Sequence, residues 1–107
     1  MVLKKRFMLE ITDKDLETTK KVIEDACKIF NVSYDDVLSL SSLKNVSLAR
    51  NYCYYVLHYT HNFSARRICL LFKRRNVRGV FKMISKTKYL IENTKYFNNI
   101  YNEKEEV

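Results

Sequence analysis

Arg78, Lys82 and Lys86 stand at i, i+4 and i+8, a spacing that on a helix projects three cations from one side. Lys73-Arg74-Arg75 lies immediately upstream. Ammonium and guanidinium groups in such an array bind phosphate, and a guanidinium fork also pairs with the edge of guanine. The surrounding sequence sharpens the point: from Val37 to Ile91 there are eleven Lys/Arg and not one Asp or Glu, so the formal charge of +8 arises as −1, +11 and −2 along the chain. A single-sign field of this extent destabilises a small domain by self-repulsion and usually answers an anionic partner. Nucleic acid is the leading partner, with an anionic membrane surface second. The plain alternative is a solvated basic face, as most charge runs on helices are, and the missing acids weigh against it.

Other chemistry is thinly represented. His58 and His61, three apart, can share a helix face, but no Cys or carboxylate lies near them in sequence to complete a metal site. Cys27, Cys53 and Cys69 are odd in number, far apart and set among apolar neighbours, which fits reduced, buried thiols. No Ser-His-Asp, Cys-His or paired-carboxylate arrangement can be read from spacing, so the expectation is a protein that is not an enzyme and needs no cofactor. One glycine, Gly79, excludes both a phosphate-cradling loop and a dinucleotide fingerprint. Eight tyrosines and six phenylalanines suggest base stacking, but Tyr52, Tyr55 and Tyr59 fall on an apolar stripe and read first as core.

These cations need elements to position them. At 107 residues the chain is expected to form one domain, with no apolar run of membrane-spanning length and no signal-peptide order at the amino terminus, hence a soluble cytoplasmic protein. One Gly and no Pro disfavour hairpins and favour helices joined by Asn/Ser turns, so the fold class is all-α.

Met1 to Ile11 fits an arm, a short strand or a helix start equally. Thr12 with Asp15 reads as a capping box, opening a helix from about Lys14 to Phe30 with Leu16, Val22, Ile23, Ala26, Cys27 and Phe30 inward. Ser33 with Asp36 opens a short helical turn through Leu38, and the polar segment Ser39 to Asn45 reads as a loop. A third helix is expected to start near Ser47 and to be the central one, with Leu48, Tyr52, Cys53, Tyr55, Val56 and Tyr59 forming its stripe. Ser64 caps a helix of about two turns with Ile68, Leu71 and Phe72 inward. Asn76 caps a longer helix with Val80, Ile84 and Ile91 in the core and Arg78, Lys82, Lys86 and Tyr89 on another face. Tyr96, Phe97, Ile100 and Tyr101 are expected to dock as a last turn before the acidic Glu103 to Glu106. The organisation expected is an arm at residues 1–13, a helical domain at 14–93 and a helical turn with acidic tail at 94–107.

Short helix, turn and longer basic helix is the outline of a helix-turn-helix, whose second helix enters the major groove. The stretch from about Val22 to Ile91 also resembles the carboxy-terminal DNA-binding domain of the bacterial replication initiator DnaA. Phe30-Asn31-Val32 and Val37-Leu38-Ser39 look like its first helix end and the start of its basic loop. Ala49-Arg50-Asn51 is similar to its Pro-Arg-Gln, and Ser64, Ile68 and Phe72 match its Ser-Leu-x-x-Ile-Gly-x-x-Phe helix. Arg75-Asn76-Val77-Arg78-Gly79-Val80 falls on its Arg-Asp-His-[Ser/Thr]-Thr-Val signature. The resemblance implies a compact, Trp-repressor-like helical bundle that binds double-stranded DNA, here without the family's ATPase module and amino-terminal partner domain.

By that resemblance Arg75 reaches into the minor groove, while Asn76 replaces a base-contacting Asp and exchanges a cytosine contact for an adenine one. Val77, Arg78 and Gly79 replace the base-reading His-[Ser/Thr]-Thr, so the standard DnaA box is not assured. The basic loop is thinned to Ser41, Ser42 and Lys44, with charge appearing instead at Arg66, Arg67, Lys73 and Arg74. His58 aligns with a cation facing the backbone. Gly79 costs a helix about 1 kcal/mol relative to Ala, for a packing or a functional reason.

The expected function is sequence-preferring duplex binding in replication initiation or its regulation. Arg78 and Lys82 would face the major groove, Arg75 the minor groove, and Lys44, Arg50, Arg66, Lys73, Arg74 and Lys86 the phosphates. Partners are duplex DNA and a replication protein, with no membrane; the oligomeric state is not specified. Two alternatives stand: a protein-interaction module, marked by an exposed apolar patch beside the basic face, and a single-strand or RNA binder, marked by exposed tyrosines on that face.

Overall fold

The computed structural model describes residues 11–93; the expected tail turn at Tyr96 to Tyr101 and all but the last residue of the Met1 to Ile11 segment lie outside them. Five helices and no strand are found among the described residues, an all-helical bundle: α1 (Asp13–Phe30), α2 (Tyr34–Leu38), α3 (Lys44–Tyr59), α4 (Ala65–Leu71) and α5 (Val77–Asn93). No described helix is long and apolar enough to cross a membrane.

α1 starts where its capping box closes. Thr12 Oγ1 accepts from the Asp15 amide at 3.0 Å, and the Asp15 carboxylate accepts from the Thr12 amide at 3.2 Å. Val22, Ile23, Ala26 and Phe30 are buried, but Leu16, expected with them, is 52% exposed. Positions 15 and 19 lie seven and three residues before Val22 and share its face, whereas position 16 is about a third of a turn away, so Asp15 and Thr19 are buried instead. Asn31 ends α1 in the left-handed region at φ 55°.

Only half of the second box forms: Ser33 Oγ accepts from the Asp36 amide at 3.1 Å. The serine-rich loop that follows is a chain of hydroxyl turns, Ser39 Oγ accepting from the Ser41 amide and Ser41 Oγ from the Leu43 amide. α3 begins at Lys44, three residues ahead of the expected Ser47, with Leu43 as a cap that offers no side-chain hydrogen bond.

α3 touches all four other helices and is the central element, as its sequence implied. Its buried set is Val46, Ala49, Arg50, Tyr52, Cys53, Tyr54 and Leu57, which differs from the expected stripe. Leu48, Tyr55 and Val56 are half-buried, and Tyr59 is exposed. A helix surrounded by neighbours buries more than one face, so a single stripe misidentifies its core. Phe30 meets Tyr52 and Phe72 meets Tyr54 in edge-to-face contacts that lock α1 and α4 onto α3.

Ser64 Oγ caps α4 by accepting from the Arg67 amide at 3.1 Å, with Ile68 and Cys69 buried beneath it. α5 buries Val80, Ile84, Thr87 and Ile91, which turns the arc of Arg78, Lys82, Lys86 and Tyr89 outward.

Candidate nucleic-acid interface

The turn between α4 and α5 sets the site. Lys73 adopts φ 54°, a left-handed conformation at the helix end. Its amide donates to Leu70 O at 3.2 Å and the Arg74 amide to Cys69 O at 2.8 Å, satisfying carbonyls of the last α4 turn. The Cys69 thiol donates to Arg74 O at 3.0 Å and fastens the turn from below. Lys73, Arg75, Asn76, Val77, Arg78, Lys82 and Lys86 are all exposed along the turn and α5. With no acid in its first turn, α5 adds the partial positive charge of its amino terminus to theirs.

Asn76 Oδ1 accepts from the Arg78 amide at 3.0 Å. The cap therefore uses the amide oxygen, and the Asn76 Nδ2 donor, which lies beside Gly79, is of a type suited to a purine N7 or a phosphate oxygen. A bidentate contact to adenine, expected from the sequence, needs that oxygen to serve both the cap and the base.

Arg50 was expected to meet phosphate, and the structure places it inside. Only 8% of it is exposed; its Nε donates to Val37 O at 2.8 Å and one terminal nitrogen to Asp36 O and Ser39 O at 3.3 and 2.8 Å. These carbonyls lie at the carboxy-terminal end of the five-residue α2, where Asp36 O also accepts from the Ser39 amide and hydroxyl, and a cation there suits the helix dipole. Burial, and next the nearby Arg74 guanidinium, lower the Arg50 pKa. Arg74 is half-committed in the same way: Nε donates to the Tyr54 hydroxyl at 3.2 Å and a terminal nitrogen to Ser39 O at 2.7 Å. Two guanidinium groups thus converge on one carbonyl and tie the α2 end, α3 and the α4–α5 turn together. The Tyr54 phenol is raised above its ordinary value by burial, with Arg74 opposing.

Arg66 and Lys44 are exposed, the latter in the first turn of α3 where the dipole disfavours a cation. Arg67 is occupied: it pairs with Asp15 at 3.3 Å and lies 5.7 Å from the centre of the Phe63 ring. No motif marks the α1 cap carboxylate as an anchor for α4 as well. His58 Nδ1 lies 2.8 Å from Phe63 O; a carbonyl can only accept, so Nδ1 carries the hydrogen and Nε2 is left over. Tyr52 and Tyr54 are buried, whereas Tyr59 and Tyr89 are 44% and 64% exposed. Lys88 sits over the Tyr59 ring at 5.4 Å. No group of three metal-ligating side chains occurs among the described residues.

Gly79 has neither of its usual reasons. Its φ is not positive, and a Cβ built there would meet nothing nearer than Asn76 at 3.8 Å. Sequence reading also missed Phe81, which is 55% exposed on α5 between the cations and Val77. Its spacing, four after Val77 and three after Arg78, was the available signal.

Over 55 residues the chain is 40% identical to the chromosomal replication initiator protein DnaA of Pseudothermotoga lettingae. The match covers 51% of this chain and 12% of that protein, so the chain spans a small part of the relative's length and carries a DnaA-related segment. No family model matches the chain, and no solved structure does.

Proposed function

We propose that the protein binds double-stranded DNA, with α4, its turn and α5 acting as a helix-turn-helix and α5 entering the major groove. The observation that carries this is the exposed array Lys73, Arg75, Arg78, Lys82 and Lys86 on the turn and outer face of α5, with no carboxylate in the sequence from Val37 to Ile91. The similarity to a replication initiator supports a role in replication initiation or its control. Arg78 and Lys82 face the bases, Arg75 the minor groove, and Lys44, Arg66, Lys73 and Lys86 the phosphates. Arg50 acts beneath the interface as a clamp, and Arg74 divides its donors between that clamp and the surface. The protein acts by binding; it is not an enzyme and needs no cofactor.

Fluorescence anisotropy with labelled duplex and single strand, at several salt concentrations, tests the reading. With about five phosphates neutralised, log K for duplex falls against log salt with a slope of about −4.5. Arg78→Ala relaxes sequence preference, whereas Lys86→Ala weakens all duplexes alike and flattens the slope by about 0.9. Equal loss on every sequence for both variants overturns the division of roles, and no duplex binding at low salt overturns the function. A second reading, a protein-interaction module, is favoured by Leu40 and Leu43, which are 85% and 71% exposed on the loop leading into α3. Tighter binding to single strand than to duplex would instead point to Tyr89 as a stacking platform.

A further inference from the structure

α5 carries two parallel ridges in its first two turns. One is cationic, Arg78 and Lys82; the other is apolar, Val77 and Phe81, which are 37% and 55% exposed. Phe81 follows Val77 by four residues and Arg78 by three, so on the helix surface it adjoins both. Elsewhere α5 keeps its apolar side chains at Val80, Ile84 and Ile91 in the core. Scattered exposed apolar residues are ordinary, but a pair in register, on the half of a helix that also carries Arg78 and directly follows Arg75 and Asn76 of the turn, forms a contact surface.

The partner of that surface must offer apolar groups within a polyanion, because the ridge is flanked by cations and the sequence around it, from Val37 to Ile91, holds no acid. In duplex DNA the apolar feature of the major groove is the thymine C5-methyl. Resting on the duplex reading above, we infer that Val77 and Phe81 are specificity-determining residues that contact thymine methyl groups. Arg78 and Lys82 hold the helix at the depth where the phenyl ring reaches them. The preferred site therefore contains A·T pairs at the positions facing the first two turns of α5.

The test uses the full chain and a duplex enriched from a randomised pool, resynthesised with uracil in place of thymine, which removes the methyl and leaves the pairing intact. Wild type should bind the uracil duplex more weakly, by roughly fourfold for each methyl contacted. Phe81→Ser should lose roughly fourfold of the thymine-over-uracil preference, the methyl contact it supplies, with an unchanged salt slope, and Phe81→Leu, which stays apolar, should lose less. Because Phe81 is more than half exposed, neither variant disturbs the core. Equal binding of both duplexes by wild type overturns this inference while leaving duplex binding intact; failure to bind any duplex overturns both.

Discussion

Arg50 and Lys73 are both cations in an acid-free segment, and they do opposite work. Arg50 is buried with its donors on the carbonyls of Asp36, Val37 and Ser39, so Arg50→Met strips the Val37 carbonyl of its side-chain donor and removes one of the donors on Asp36 O and Ser39 O, which keep Ser39 and Arg74 respectively. Unfolding in urea should show a loss of about 3 kcal/mol, and Arg50→Lys should recover little, because a point ammonium cannot reproduce the planar fork. A variant that keeps its urea midpoint and loses only DNA affinity would return Arg50 to the interface. Lys73 is exposed and holds φ 54°, a conformation that Asn31 and Asn62 adopt at small cost but a lysine does not. Lys73→Gly should therefore raise stability by about 1 kcal/mol while lowering duplex affinity and reducing the salt slope by about 0.9. A gain in stability with unchanged affinity would show that the side chain contributes nothing to binding.

At the level of the helix, α5 is held by its buried face and aimed by the turn before it, and Gly79 is a weak point in its second half-turn. Since an added Cβ meets only Asn76 at 3.8 Å, Gly79→Ala should stabilise the free protein by about 0.5–1 kcal/mol, seen as a rise of a few degrees in Tm. A lower Tm would reveal a constraint at this position that the free fold does not display. The same elements show what a sequence exposes to reading. Caps at Thr12, Ser64 and Asn76 were legible because each places its own hydroxyl or amide within three residues of its partner. The outward arc of α5 was legible because its opposite face is plainly apolar. α3 was harder: its first turn has no capping side chain, and neighbours on several sides bury Tyr54 and Leu57 off the expected stripe. Arg50 was illegible for a different reason. Its partners are backbone carbonyls, 11–14 residues away, which every residue carries and no residue type marks.

Across the whole molecule, burial of protonated groups links stability to pH on the alkaline side. Burial raises the thiols of Cys27, Cys53 and Cys69 and the phenols of Tyr34 and Tyr54 above their ordinary values of 9.0 and 10.0. In the unfolded chain these groups release protons near those values, while in the folded chain they hold them longer. The unfolded state therefore binds fewer protons from about pH 9 upward, and the stabilisation present below that pH is lost as pH rises toward the folded values. Each fully shifted group contributes a slope of at most about 1.4 kcal/mol per pH unit. Cys53, wholly buried in α3, should dominate. Urea unfolding of wild type should show stability level from pH 7 to 8.5 and declining above 9, with Cys53→Ala less stable at neutral pH but flatter across the alkaline range. Identical slopes for the two proteins would remove Cys53 as the source and assign the decline to the phenols.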